Sequence, residues 1–199
     1  MQCMVELNYE NHRFLDVVNE DDEVVDTRSR TDIHRLGLRH REIHVWMFDK
    51  NHNIFFQKSG LHKPSAGRLD ATVSGHVNRG ENYLQAAVRE TAEETGIIVP
   101  LDDLVFLKET RSNAIIPKEG FLETINNFIR NVYIYKYPVN DTQIKIEEGI
   151  PGAGFQKISP ALLKDMAKED MKMVKKFITQ HELPSVLKYV DNLSIKKFL

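Results

Sequence analysis

"GHVNRGENYLQAAVRETAEETGI", Gly75 to Ile97, decides how the rest of the chain reads. Glu81, Arg89, Glu90, Glu93 and Glu94 crowd around one turn and one helix. The helix is expected from about Tyr83 to Thr95, with Gly96 supplying a left-handed stop. Residues three and four apart share a helix face, so Glu90, Glu93 and Glu94 project to one side while Ala86, Ala87 and Ile97 are free to face a sheet. Glu93 and Glu94 diverge by about 100° around the axis, which lets them reach different sides of one metal or two metals. Like charges packed this closely repel unless a cation answers them, and hard oxygen donors at this density suit Mg²⁺ or Mn²⁺. The alternative is a solvated, Glu-rich helix face.

The flanks decide between these readings. Gly75 opens a loop that runs through Gly80 and Glu81 into the helix, and Gly96 closes it. Gly75, Glu81, Arg89, Glu90, Glu93, Glu94, Gly96 and Ile97 stand at the spacings of the Nudix box, which the stretch resembles. Thr91 is the sole departure, standing where an aliphatic residue is usual and able to turn its methyl group inward. The resemblance implies an α/β fold, a Nudix-type α/β/α sandwich with a mixed central sheet, that hydrolyses a diphosphate linked to another group. It implies Gly75, Glu90, Glu93 and Glu94 as ligands of Mg²⁺ or Mn²⁺, with Glu81 and Arg89 orienting the carboxylates. Water is then the nucleophile, and Glu90 or one of Glu147 and Glu148 takes its proton. The plain reading of Glu147 and Glu148 is a solvated acidic turn. Lys58, Arg68 and Arg79 are the cations expected to bind phosphate, each with an ordinary surface residue as the alternative.

Outward from the box, FLDVVNEDDEVVDTRSR reads as an exposed hairpin around Asn19 to Asp22, and EIHVWMFDKNHNIFFQKS as a second, buried hairpin around Asp49 to Asn53. A short strand is expected near Leu69 to Val73, further strands in DDLVFLKET, NNFIRNVYIYKYPV and FQKIS, and one or two helices from the Ser-Pro cap of SPALLKDMAKEDMKMVKKFITQHEL. The expected organisation is a single domain: an amino-terminal hairpin extension over residues 1–35, a core over 36–180, and a tail or helix over 181–199. Open edges on the first hairpin point to a homodimer. The 27 basic and 29 acidic residues give a net charge of -2, so no global field draws nucleic acid or an anionic membrane. The one cysteine, Cys3, excludes a disulfide framework, and the absence of a signal-like start or a long apolar run points to the cytoplasm.

The stretches LRHREIHVWMFDKNHNIFFQK and DATVSGHV are also similar to the isopentenyl-diphosphate isomerase branch of the same superfamily, in which a catalytic cysteine stands where Ser74 stands here. A serine hydroxyl is a poor proton donor to an unactivated double bond, which counts against isomerisation. That branch binds metal through histidines; His40 and His76 match their places and His34 lies about one residue off. Converging imidazoles would favour Zn²⁺ or Mn²⁺, whereas hydrogen-bonded structural histidines are the expectation here. Phe121 and Phe128 are open to stacking on a base or, more commonly, to core packing. A non-catalytic sensor of a diphosphate ligand is the third possibility.

Overall fold

A computed structural model describes residues 13–61, 65–116, 124–145, 151–166 and 169–195. The strands are β1 (Phe14–Val18), β2 (Val24–Ser29), β3 (His40–Phe48), β4 (Ile54–Lys58), β5 (Leu69–Asp70), β6 (Val73–His76), β7 (Leu104–Ile116), β8 (Thr124–Tyr135) and β9 (Gly154–Ile158). The helices are α1 (Arg30–Leu36), α2 (Tyr83–Thr95), α3 (Pro160–Asp165), α4 (Lys176–His181) and α5 (Leu183–Ile195). Strand β3 is the hub. It runs parallel to β8 and antiparallel to β1, β4 and β6, which makes the sheet mixed.

Side chains alternate across a strand, and β3 uses both faces. Ile43, Val45 and Met47 pack with Ala86 and Ala87 of α2, while Trp46 and Phe48 pack with Leu163, Ile178, Leu183, Val186 and Val190 of α3, α4 and α5. Helices therefore cover both sheet faces in an α/β/α sandwich. The stretch Leu69 to Val73, expected as one strand, is two: β5 pairs β4, and β6 crosses to β3. Ala71 and Thr72 make that change of partner, and the Thr72 hydroxyl secures it by donating to the Phe55 carbonyl at 2.6 Å and accepting from the Met47 amide at 3.0 Å.

The first hairpin is not free-standing. Four of the five β1 residues are buried and Val17 pairs with His40 of β3, so the hairpin prolongs the main sheet and β2 becomes its outer edge. The segment TDIHRLG, which carries no strong strand or turn signal, forms α1, capped by Ser29 and ended by Gly37 at φ 67°. The carboxy-terminal stretch is helical through Ile195.

Candidate functional site

Helix α2 begins at a capping box: the Asn82 side chain accepts from the Gln85 amide and the Gln85 side chain accepts from the Asn82 amide. Gly96 ends it at φ 72°, at the expected boundary. Between these stops, Ala86, Ala87, Thr91 and Thr95 are buried against the sheet, which fixes the rotation of the helix and turns Glu90 toward β6. Gly75 makes that approach possible. A Cβ there would lie 2.1 Å from Glu90 Cδ and 2.4 Å from Glu90 Oε1, so only a glycine admits the carboxylate.

Arg89 binds three carboxylates together. Its Nε and Nη2 donate to the two Glu81 oxygens at 2.9 and 2.8 Å, and its Nη1 donates to Glu90 Oε1 at 2.7 Å and Glu93 Oε2 at 3.2 Å. Nη2 also reaches the His76 carbonyl at 2.9 Å, tying the helix to the end of β6. Glu94 lies on the other flank, where its Oε2 accepts from Gln57 Nε2 and the Ser74 amide, both at 3.2 Å. Burial pushes the Glu90 carboxyl above its ordinary range, partly offset by the bonds from Arg89. Burial acts on Glu81 in the same direction, but the Arg89 fork and the Asn78 amide outweigh it and hold Glu81 below its usual value. Three carboxylates sharing one guanidinium, with Glu94 on the same helix, form an all-oxygen donor set that fits a hard divalent cation.

The NUDIX domain family matches residues 38–177. The chain belongs to the Nudix family. Its relatives include uncharacterized Nudix hydrolases of Yersinia pestis, 39% identical over 85 residues, and Streptomyces coelicolor, 40% identical over 88 residues. These alignments cover 42% and 41% of this chain and 47% and 46% of the relatives, so the chain spans about half their length. An isopentenyl-diphosphate Delta-isomerase of Serratia proteamaculans is 33% identical over 89 residues, covering 44% of this chain and 50% of that protein. Among solved structures, a Deinococcus radiodurans protein matches with a TM-score of 0.52 at 24% identity, covering 75% of this chain and 85% of that one. A MutT protein from Methanosarcina mazei matches with a TM-score of 0.51 at 15% identity, covering 78% and 95%. These structures share the fold.

In this Nudix chain the sequence-expected residues separate into two groups. Gly75, Glu81, Arg89, Glu90, Glu93 and Glu94 converge as described. Lys58, at the end of β4, Arg68, ahead of β5, and Arg79, in the loop before α2, are exposed; among the described residues none of their side chains is hydrogen-bonded or ion-paired. Glu147, Glu148 and Phe121 lie outside the described residues. Phe128 is buried, with the Arg130 guanidinium 3.9 Å above its ring and Phe177 edge-on to it, so it serves packing and not base stacking. Arg13, Asp16 and Gln57, whose partners stand dozens of residues away, were not legible from spacing.

The histidines are not isolated from one another. His34 of α1, His40 of β3 and His76 of β6 each bring one ring nitrogen within 4.8 Å of the others, with His34 Nε2 and His76 Nε2 3.1 Å apart. Burial, reinforced by neighbouring His40, lowers His34 to about 4, and burial holds His76 well below its usual value, so both rings are neutral donors at pH 7. Glu42 Oε1 stands 3.3 Å from His40 and 3.8 Å from His76. On the same sheet face, Arg130 is buried between Glu42 and Glu182, donating at 3.1 and 2.5 Å to the first and 3.0 Å to the second. Glu182 also accepts from Trp46 Nε1 at 3.1 Å and lies 2.9 Å from His44 Nδ1, which pins the junction of α4 and α5 to β3.

Proposed function

We propose that the chain is a metal-dependent diphosphohydrolase acting on a small organic diphosphate, of nucleoside diphosphate or related type. The carrying observation is the carboxylate cluster of α2, gathered by Arg89 and pressed against Gly75. Glu90, Glu93, Glu94 and the Gly75 carbonyl would hold Mg²⁺ or Mn²⁺, which when bound supplies charge neutralisation at the diphosphate and a more acidic water. Arg89 and Glu81 keep the ligands ionised and aimed, and Glu90 or Glu148 takes the proton from the attacking water. Lys58, Arg68 and Arg79, whose side chains bond no partner among the described residues, serve the phosphate oxygens. The test is a panel of nucleoside diphosphates and triphosphates, nucleotide sugars, dinucleotides, NADH, coenzyme A, and prenyl and thiamine diphosphates, with each metal. Turnover abolished in Glu93→Gln and Glu94→Gln supports the reading, and cleavage of no member with either metal refutes it; binding without turnover indicates a sensor.

A second reading, an isomerase of isopentenyl diphosphate with metal at His34, His40 and His76, is favoured by the closeness of the three rings and opposed by Ser74. Deuterium incorporation from solvent into isopentenyl diphosphate decides it. Among the described residues no helix is long and apolar enough to cross a membrane. Strand β2, the outer sheet edge with Val24 and Val25 exposed, is the surface through which a homodimer would pair, and light scattering tests that association.

A further inference from the structure

The matched domain begins at residue 38, yet the strand that precedes it reaches into the carboxylate site. The turn joining β6 to α2 has four amides at Asn78 to Glu81. Two are satisfied within the turn: the Asn78 amide donates to Glu81 Oε2 at 3.0 Å and the Glu81 amide to the Asn78 carbonyl at 3.0 Å. The other two go to β1, where the Arg79 amide donates to the Phe14 carbonyl at 3.1 Å and the Gly80 amide to Asp16 Oδ2 at 2.9 Å. Leu15 also bridges to Asn78 in antiparallel register. The buried Asp16 uses its other oxygen for the Thr27 hydroxyl at 3.2 Å, so β2 supports the same anchor.

Arg13 carries the contact onward to a ligand. Its Nε donates to Asn78 Oδ1 at 2.5 Å and its Nη2 to Glu90 Oε1 at 3.3 Å. One fork thus spans the turn and the buried carboxylate. Arg89 is the other cation on Glu90, but it divides its donors among Glu81, Glu90 and Glu93. At the far end of the turn, Asp22 of the same hairpin accepts from the Tyr83 hydroxyl at 3.1 Å and from Arg41 Nε at 2.7 Å, fixing the first residue of α2.

We propose that the amino-terminal hairpin braces the metal-binding loop and helix, with Arg13 and Asp16 as positioning residues for Glu90 and the 78–81 turn. The proposal rests on the carboxylate cluster being the metal site. Removing the Arg13 charge would by itself favour a cation, so the informative substitution is Arg13→Lys, which keeps the charge and loses the fork. Asp16→Ala removes the Gly80 acceptor.

The experiment uses the full chain, with Mn²⁺ titrated by electron paramagnetic resonance and amide exchange of Arg79 and Gly80 followed in the metal-free protein. Both variants are expected to weaken Mn²⁺ binding about tenfold, the scale on which outer-shell partners act, and to speed exchange at the two amides while the melting temperature moves little. Unchanged exchange together with Mn²⁺ affinity within about twofold of wild type overturns the brace. If the wild-type protein binds no Mn²⁺, the site reading fails by itself, and the exchange rates still decide whether the hairpin holds the turn.

Discussion

Gly75→Ala probes the fit between β6 and the buried Glu90 carboxylate. The added methyl would lie 2.1 Å from Glu90 Cδ, 2.3 Å from Cγ and 2.4 Å from Oε1, well inside contact distance. The Gly75 backbone is not in the left-handed region, so the cost comes from overlap and not from dihedral strain. Either the paired strand shifts or the Glu90 side chain swings out, and the side chain is the softer element. Forced overpacking of this kind costs about 1–3 kcal/mol. Displacing Glu90 also breaks the bonds from Arg89 and Arg13, so Mn²⁺ affinity and any turnover should fall by about a hundredfold or more, as for loss of a ligand and its supports. The assay is thermal unfolding together with Mn²⁺ titration, repeated in a Glu90→Ala background. There Gly75→Ala should become almost neutral to stability, because the clashing atoms are gone. Gly67→Ala is the control: its φ is 72° and nothing lies within 4 Å, so it should cost stability alone. Gly75→Ala with wild-type stability and wild-type Mn²⁺ affinity would show that the methyl fits without displacing Glu90.

Thr91 is fully buried and its hydroxyl has no hydrogen-bond partner among the described residues, so Thr91→Val should stabilise the protein by about 1 kcal/mol, seen as a melting temperature higher by about 2–4 °C. Arg130→Leu leaves Glu42 and Glu182 buried without their counterion and should destabilise by about 3–5 kcal/mol in urea unfolding, with part recovered on adding Glu42→Gln and Glu182→Gln. For Asp70, burial raises the carboxyl but the Lys175 ammonium outweighs it, and the folded value falls from 3.8 to about 2. A depressed carboxylate stabilises above its unfolded value and loses that contribution as pH falls through the folded one, so between about pH 4 and 2 stability should drop by at most about 2 kcal/mol, reduced by the partial exposure of Lys175. Lys175→Met should flatten that part of the pH–stability curve.

What could be read from the sequence was local. Helix α2 announces itself through Ala86 and Ala87 on one face, the carboxylates on another and its glycine stop, and the box residues on it meet because three- and four-residue spacings place them on adjoining turns. The β3–β4 hairpin was legible for the same reason, its turn lying within the strands it joins. Contacts that depend on strand order were not. The three histidines meet because α1 packs against β8 and β1, the strands on either side of β3, and β6 returns antiparallel to β3, so His76 stands opposite Glu42. Arg130 reaches Glu42 across 88 residues, and Arg13 reaches Glu90 across 77. No short-range periodicity encodes such pairs. The Leu69 to Val73 stretch misled because Leu69, Ala71 and Val73 alternate with Asp70 and Thr72 as in one unbroken strand, while the backbone changes partner at Ala71 and Thr72.

Anomalous diffraction from crystals equilibrated with Mn²⁺ tests directly whether the carboxylates of α2 are a cation site. A bound cation should give a peak bounded by Glu90, Glu93, Glu94 and the Gly75 carbonyl, and no such peak in Glu93→Gln/Glu94→Gln crystals. A map with no peak there, whether empty throughout or peaked only among His34, His40 and His76, would contradict a cation site at these carboxylates.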